Sequence, residues 1–192
     1  MMTMPFIPLL VLLLRIPLSW AVKALYSSTF SGPSPLWYEP GMVEHAMTLI
    51  RSHQVLTGRP LLPDMRDDCS PEEAARALFF AGHVVLSHGT QMESQGPILN
   101  YGNNAGLRLW KATWEELTTM PSKHTAEVED QEARAVTMET VSRFGFVEGY
   151  SGVRVALDGS RFRIEDVTIW NVVEEGRLIG QAAAFPRWTS LS

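Results

Sequence analysis

"PILNYGNNAGLRLWKATWEEL" occupies residues 97–117 and joins an apolar strand pattern to two short helices. Asn103 or Asn104 is suited to cap the first helix, which runs through Trp110, because asparagine side chains accept bonds from the free N–H groups of a first turn. Thr113 and Glu116 have the spacing of a capping box, which predicts that a second helix begins at "WEEL". The stretch therefore predicts a strand followed by two closely spaced helices.

The glycines of the same stretch do not fit a phosphate-binding loop. A P-loop needs a Gly-Lys pair, and the chain contains none. Gly102 and Gly106 also lack the third glycine of a dinucleotide fingerprint. Gly102 instead suits a tight exit from the strand, so we interpret the segment as a turn.

The sequence before this stretch predicts two helices and a partner strand. Apolar side chains recur at helical spacing over residues 42–56, and Gly58 provides the stop. Ser70 and Glu73 form a capping box for the second helix. "HVVLSHG" (83–89) is typical of a buried strand, which would pair with residues 97–103 as a hairpin.

The sequence after it predicts one helix and three strands. "EVEDQEARAVTMETVSRF" (127–144) is helical and acidic in its first turn. The strands "GYSGVRVAL" (149–157) and "RFRIEDVTIWNVV" (161–173) flank Asp158-Gly159-Ser160, and "LIGQAAAFPRW" (178–188) follows. This order predicts an α+β fold, in which a five-stranded antiparallel sheet carries short helices on one face.

Composition narrows the class of protein. The chain has 192 residues and is 45% hydrophobic, enough for one substantial core. Its net charge of −5 and scattered basic residues argue against a nucleic-acid-binding face. Cys69 is the only cysteine in the sequence, so neither an internal disulfide nor a cysteine-based zinc site is expected.

Residues 1–36 differ from the rest of the chain and are expected to lie outside the fold. "FIPLLVLLL" (6–14) is too short for a membrane span, which needs about 20 residues, but it suits the apolar part of a signal peptide. "YSSTFSGPSPLW" (26–37) is rich in hydroxyls and free of acids, as transit peptides are. Three interpretations of this segment stay open: a presequence, a membrane-associated tail, or a wrongly assigned start codon. A transit peptide would direct the protein to a plastid or mitochondrion; otherwise we expect a cytoplasmic protein.

The histidines do not predict a metal site. His83 and His88 are five residues apart on a strand and would point to opposite faces, and His53 lies on the apolar stripe, where a packing role is expected. One enzymatic alternative is a small α+β enzyme in which His88 works with Glu165 or Arg163 as an acid–base pair. The strand pattern places both charged residues on one face of the sheet, which is usually solvated but can also pair across strands or line a ligand cavity.

Several segments together resemble the MEKHLA domain family, which has a PAS-like fold. They are "GHVVLSHGT" (82–90), "PILNYGNNAGLRLW" (97–110), "WEELTTMPSKHTAE" (114–127), "GYSGVRVALDGSRFRIEDVTIWNV" (149–172) and "GQAAAFPRW" (180–188). The leading helix "IRSHQVLTGRPLL" (50–62) is also similar to that of the family. The resemblance implies N-terminal flanking helices at 37–80 and a PAS-like core at 81–188, whereas the presequence or signal/transit-like segment at 1–36 is inferred from its composition alone.

The same resemblance implies a sensory, ligand-binding or protein-interaction module rather than an enzyme. Its expected partners are a small-molecule ligand and either a second copy or another protein, with no nucleic acid and with membrane contact only through the N-terminal segment. The cofactor stays unknown. Flavin-binding PAS relatives use a cysteine on the helix after the second strand, where "NNAGLRLW" has none, and His124 is the one candidate for a haem ligand.

A ligand pocket, if the domain has one, is expected between the sheet and the short helices. No residue is assigned a catalytic role. The residues predicted to line the pocket are His88, Asn100, Tyr101, Asn103, Trp110, His124, Arg163 and Trp170.

Overall fold

A computed structural model of the protein describes residues 36–93, 96–126 and 131–191. The predicted presequence therefore lies outside the described residues, apart from Leu36, and so does the first turn of the helix predicted at 127–144. Within the described part, no helix is long and apolar enough to cross a membrane.

Within these described ranges, five α-helices and six strands follow one another, with 3-10 turns at Leu36–Tyr38 and Ser122–Thr125. The helices are α1 (Pro40–Thr57), α2 (Pro71–Phe79), α3 (Asn104–Trp110), α4 (Trp114–Thr118) and α5 (Gln131–Phe144). The strands are β1 (Val84–Glu93), β2 (Gly96–Gly102), β3 (Phe146–Val155), β4 (Arg161–Glu174), β5 (Arg177–Phe185) and β6 (Arg187–Leu191).

Local sequence signals fix the helix ends. The Ser70 hydroxyl accepts from the Glu73 backbone N–H, and the Ser70 N–H donates to the Glu73 carboxylate, which confirms the predicted capping box of α2. Thr113 caps α4 in the same way. Asn103 rather than Asn104 caps α3, and its side chain accepts from the Gly106 N–H. Helix α1 ends at Gly58, whose φ of 71° places it in the left-handed region that favours glycine.

The strands form one antiparallel sheet in the order β2-β1-β5-β4-β3, and β6 adds a sixth strand beside β4. The predicted five-stranded sheet with short helices on one face is confirmed. The sixth strand arises because the segment predicted as one strand at 178–188 is divided at Pro186, which has no N–H for a ladder bond. After that break, β6 pairs with residues 161–165 of β4.

The two faces of the sheet carry separate apolar cores. Helices α1 and α2 cover one face, where Leu49 and Leu78 pack with Tyr101 and Trp170. The short helices α3 to α5 cover the other face, where Trp110 belongs to a cluster with strand residues of β4 and β5. Because both faces are covered, each strand contributes alternate side chains to different cores.

A bulge in β2 decides which core its side chains reach. Ser87 pairs with Tyr101, while the next residue of β1, His88, pairs with Leu99. Asn100 is therefore an extra residue in β2, and Leu99 and Tyr101 face opposite sides of the sheet.

Candidate functional site

A cavity of about 60 Å³ lies between the sheet and the short helices α3 to α5. Most of its wall is apolar and comes from the strands, with Leu99, Ile169 and Phe185 among the lining residues. The polar residues of its lining are Ser87, His88, Ser122, Thr125, Tyr150, Arg154 and Gln181. The volume holds roughly two to four water molecules and is far smaller than the pockets of about 300–1,000 Å³ that hold drug-sized ligands.

In the described part of the cavity wall, Arg154 is the one positively charged side chain, and it is only 5% exposed. It lies on β3, on the same face as Tyr150 and Gly152. Its Nη2 donates to the Tyr150 hydroxyl at 3.0 Å, and its Nη1 donates to the Val153 carbonyl at 2.7 Å. Among the described residues, no carboxylate lies within ion-pair distance of its guanidinium.

Gly152 makes room for this arrangement. A Cβ atom at Gly152 would lie 2.9 Å from the Arg154 Nη1 and 2.8 Å from the Tyr150 hydroxyl oxygen. Any larger residue would therefore push both groups aside. Because Gly152 has no side chain, the side chains of Tyr150 and Arg154 meet above the strand, and both line the cavity.

Trp110 provides a second wall group with unused hydrogen-bonding capacity. Its ring is 1% exposed and packs edge-on against Phe162, with centroids 5.0 Å apart. Its Nε1 has no acceptor among the residues that the structure describes. A buried indole N–H normally has a partner, so this atom is a candidate contact for a ligand.

Two further polar residues of the wall are held by the protein. Gln181 on β5 donates to the Ser142 hydroxyl at 3.0 Å and to the Asn171 side-chain oxygen at 3.2 Å, which ties β5 to α5 and β4. The His88 Nδ1 donates to the Gly89 carbonyl at 2.8 Å. In the neutral ring this bond leaves Nε2 as an acceptor.

On the opposite face, β1 is linked to α1 by a buried polar relay. Ser87 donates to the Asn100 side-chain oxygen at 2.7 Å and lies 2.9 Å from the His45 Nε2. Because the serine proton is used by Asn100, the His45 Nε2 must be the donor in the second bond. Burial lowers the pKa of His45, and the charge of Glu174 partly opposes that effect.

Trp170 makes the second link between α1 and the sheet. Its Nε1 donates to the Ser52 hydroxyl at 3.2 Å, and the His53 ring packs edge-on against it at 4.9 Å. The His53 Nδ1 donates to the Arg59 carbonyl at 2.9 Å. The prediction that His53 is a satisfied packing residue is confirmed, and so is the packing of α1 on the sheet.

The structure brings only part of the predicted pocket together. His88 and Trp110 line the cavity. Tyr101 and Trp170 do not, because they belong to the core under α1. For Tyr101 the physical reason is the bulge at Asn100, which turns the residue to the other side of the sheet.

The remaining predicted lining residues also lie elsewhere. Asn100 belongs to the relay with Ser87, and Asn103 is a fully buried helix cap whose side chain bonds four backbone groups. His124 and Arg163 are exposed. These four residues therefore do not line the cavity with His88 and Trp110, as the sequence predicted. That the cavity binds a ligand stays a prediction.

The predicted list of lining residues did not include Arg154, Tyr150 or Gln181. The signal that favours the first two is the alternation of Tyr150, Gly152 and Arg154 along β3, which Ala156 continues just after the strand. Tyr150 is half-buried and the other three are buried.

The structure does not bring together the residues of the enzymatic alternative. Arg163 is exposed, and Glu165 is paired in register with Arg187 of β6. Neither residue lines the cavity that His88 lines. Among the described residues, no group of three histidine, cysteine, aspartate or glutamate side chains is placed to hold a metal ion.

The cavity also does not fit the cofactors that PAS relatives carry. Its volume of about 60 Å³ is too small for a flavin or a haem. Cys69 packs against the core under α1, away from the cavity, and His124 is exposed. The residues present therefore do not support a flavin–cysteine adduct or a histidine-ligated haem.

The sheet order, the short helices on one face and the cavity between them define a PAS-like domain. A PAS domain of a protein from Colwellia psychrerythraea has the same fold, with a TM-score of 0.50 and 15% identity over 61% of this chain and 92% of that one. An RNA-binding light-oxygen-voltage receptor matches with a TM-score of 0.51 and 16% identity, over 66% of this chain but 35% of that one. At these identities the likeness shows the fold alone.

The family follows from the sequence match. The MEKHLA domain model matches residues 43–190, which is most of the chain. The protein belongs to the MEKHLA domain family, as its sequence resemblance predicted. A search of curated proteins finds no relative that matches it.

Proposed function

We propose that the protein is a non-enzymatic sensory module that binds a small ligand in the cavity between the sheet and α3 to α5. Binding would alter the packing of α1 on the opposite face. The observation that carries the proposal is a cavity with polar groups on its wall, placed in a PAS-like sheet whose other face holds α1.

The strands provide the connection between the two faces. On β1, Leu86 and His88 line the cavity, while Ser87 between them bonds to His45 of α1. On β4, Ile169 lines the cavity and its neighbour Trp170 bonds to Ser52. A ligand that displaces either lining residue would shift the adjacent bond to α1, because neighbouring strand residues move together.

A cavity-filling variant tests this proposal. Ala183 on β5 lines the cavity, and Ala183→Leu would occupy part of its volume. Ala81→Leu is the control, because Ala81 does not line that cavity. We expect small ligands that bind the full-length protein to shift the NMR signals of the His45 ring, and we expect Ala183→Leu to abolish the shift. If ligands bind equally well to the filled variant, or bind without moving His45, the proposal is wrong.

Two further parts of the proposal concern assembly and location. We propose that α1 also contacts a second copy or a partner protein, which light scattering of the purified chain at several concentrations would check. We propose that residues 1–36 are a targeting segment removed from the mature protein. Sequencing the N-terminus of the protein isolated from its host cells would test this.

A further inference from the structure

We propose that the ligand of this cavity is a small carboxylate held by Arg154. The inference rests on the ligand-binding function proposed above and adds the chemical class of the ligand. It depends on the positive charge of Arg154, on the unused hydrogen-bond donors of the cavity wall and on the volume of the cavity.

The charge of the wall is unbalanced. Arg154 brings one positive charge to the cavity, and no aspartate or glutamate is among the lining residues that the structure describes. At 5% exposure the guanidinium has little access to water. A buried charge is strongly destabilising unless an opposite charge or several hydrogen bonds compensate it. A ligand carboxylate at this position would supply both.

The donors of the wall are also suited to a carboxylate. A guanidinium has five N–H donors, and the two bonds to Tyr150 and Val153 leave others for a ligand. The Tyr150 hydroxyl accepts from Arg154 and keeps its own proton to donate. The Trp110 Nε1 is a further donor that has no acceptor among the described residues. Such a set of donors favours an anion with two oxygens.

The volume restricts the ligand to a few non-hydrogen atoms. A space of about 60 Å³ with an apolar wall suits a short aliphatic tail behind the carboxylate. Formate, acetate, propionate and butyrate therefore form a graded series of probes. Their amides have nearly the same shape without the charge.

The chain itself contains one competing source of negative charge. Ala126 forms an isolated bridge with Arg154, and the sequence that follows it is Glu127-Val128-Glu129-Asp130. These residues lie outside the described part of the chain. An internal ion pair from this segment would make a ligand carboxylate unnecessary, so the experiment must separate the two.

The test is calorimetric titration of the full-length protein with each acid and its amide at constant ionic strength. We expect at least one acid to bind and its amide not to bind. Arg154→Met should weaken acid binding by about 10- to 100-fold, the range for hydrogen bonds to a charged group. The affinity of Arg154→Lys for the acid should lie between those of the wild type and Arg154→Met, because lysine keeps the charge but loses the planar fork.

Two further variants control for folding and for charge. Gly152→Ala keeps Arg154 but crowds its Nη1 and the Tyr150 hydroxyl, so it should weaken acid binding without removing the charge. Arg163→Met removes an exposed cation on β4, paired with Val153 of β3, and should leave binding unchanged.

The outcomes separate this inference from the proposed function. If amides bind as well as acids, or if Arg154→Met binds acids normally, the carboxylate inference is wrong and the ligand-binding function stands. If no probe of either kind binds, both are wrong. If no acid binds and Glu127→Gln/Glu129→Gln/Asp130→Asn destabilises the wild type but not Arg154→Met, the chain supplies its own counter-charge and the inference is overturned.

Discussion

At the scale of single residues, Asn103 and Arg154 show what sequence patterns reveal and what they conceal. Asparagine before a helical pattern is a local signal, and it correctly placed the cap of α3. Arg154 was missed because its two neighbours in β3, Val153 and Val155, are apolar, and apolar residues normally face a core. In the structure the valines are partly exposed and Arg154 is buried. Gly152 has no side chain and so leaves room for Arg154 to be buried, an effect that depends on tertiary packing.

Asn103→Ala should be severely destabilising. The side chain is fully buried and accepts from the N–H groups of Val85 and Gly106 while donating to the carbonyls of Leu78 and His83. Its loss leaves several buried backbone groups without partners, which should lower the free energy of unfolding by about 3 kcal/mol or more.

Thr113→Ala is the matched control for this change, because it removes an exposed helix cap and should lower stability by about 1 kcal/mol. Denaturant titration measures both values. Equal losses for the two variants would contradict the structural role assigned to Asn103.

At the scale of elements, the helices were easier to predict than the outer strands. The capping boxes of α2 and α4 each span four consecutive residues, so they can be recognised in the sequence without knowledge of distant contacts. The break between β5 and β6 depends on how Pro186 meets its neighbours in the sheet. The bulge in β2, which makes Leu99 and Tyr101 face opposite sides of the sheet, also depends on distant contacts, because it is defined by the pairing with β1.

Trp170→Phe should loosen α1 from the sheet. The change removes the hydrogen bond from the Trp170 Nε1 to Ser52 and leaves a smaller ring beside His53. We expect the free energy of unfolding to fall by about 1–3 kcal/mol. Amide hydrogen exchange should accelerate in α1 before it accelerates in α3.

Trp188→Phe serves as the comparison, since Trp188 is 38% exposed and its replacement should change stability by less than about 0.5 kcal/mol. If exchange in α1 is the same in both variants, Trp170 does not secure this helix.

At the scale of the whole molecule, buried histidines should make the fold sensitive to acid. Burial is the largest influence on His45, His53 and His83, and it lowers the pKa of each. The unfolded chain, with histidine pKa values of about 6.5, then binds more protons than the folded one. This contribution to stability is therefore fully present above about pH 6.5 and is lost as the pH falls toward the lower folded values.

His45→Gln retains an N–H donor for Ser87 and cannot titrate, so stability should depend less steeply on pH between about 5 and 7. His124→Gln, at an exposed position, is the control. Denaturant titrations across this pH range give the slopes. An unchanged slope in His45→Gln would show that His45 protonation is not linked to folding.

The bulge at Asn100 also determines which mutations the domain can tolerate. Inserting or deleting a residue in a surface loop usually changes little. Within a strand a deletion usually exchanges the sides to which the following residues point. Deleting Asn100 would instead leave Leu99 and Tyr101 as neighbours that still pair with His88 and Ser87 and still face opposite sides. The loss would be the side-chain oxygen that accepts from Ser87. Homologues should therefore vary in the length of β2 at this position before they vary elsewhere in the strand.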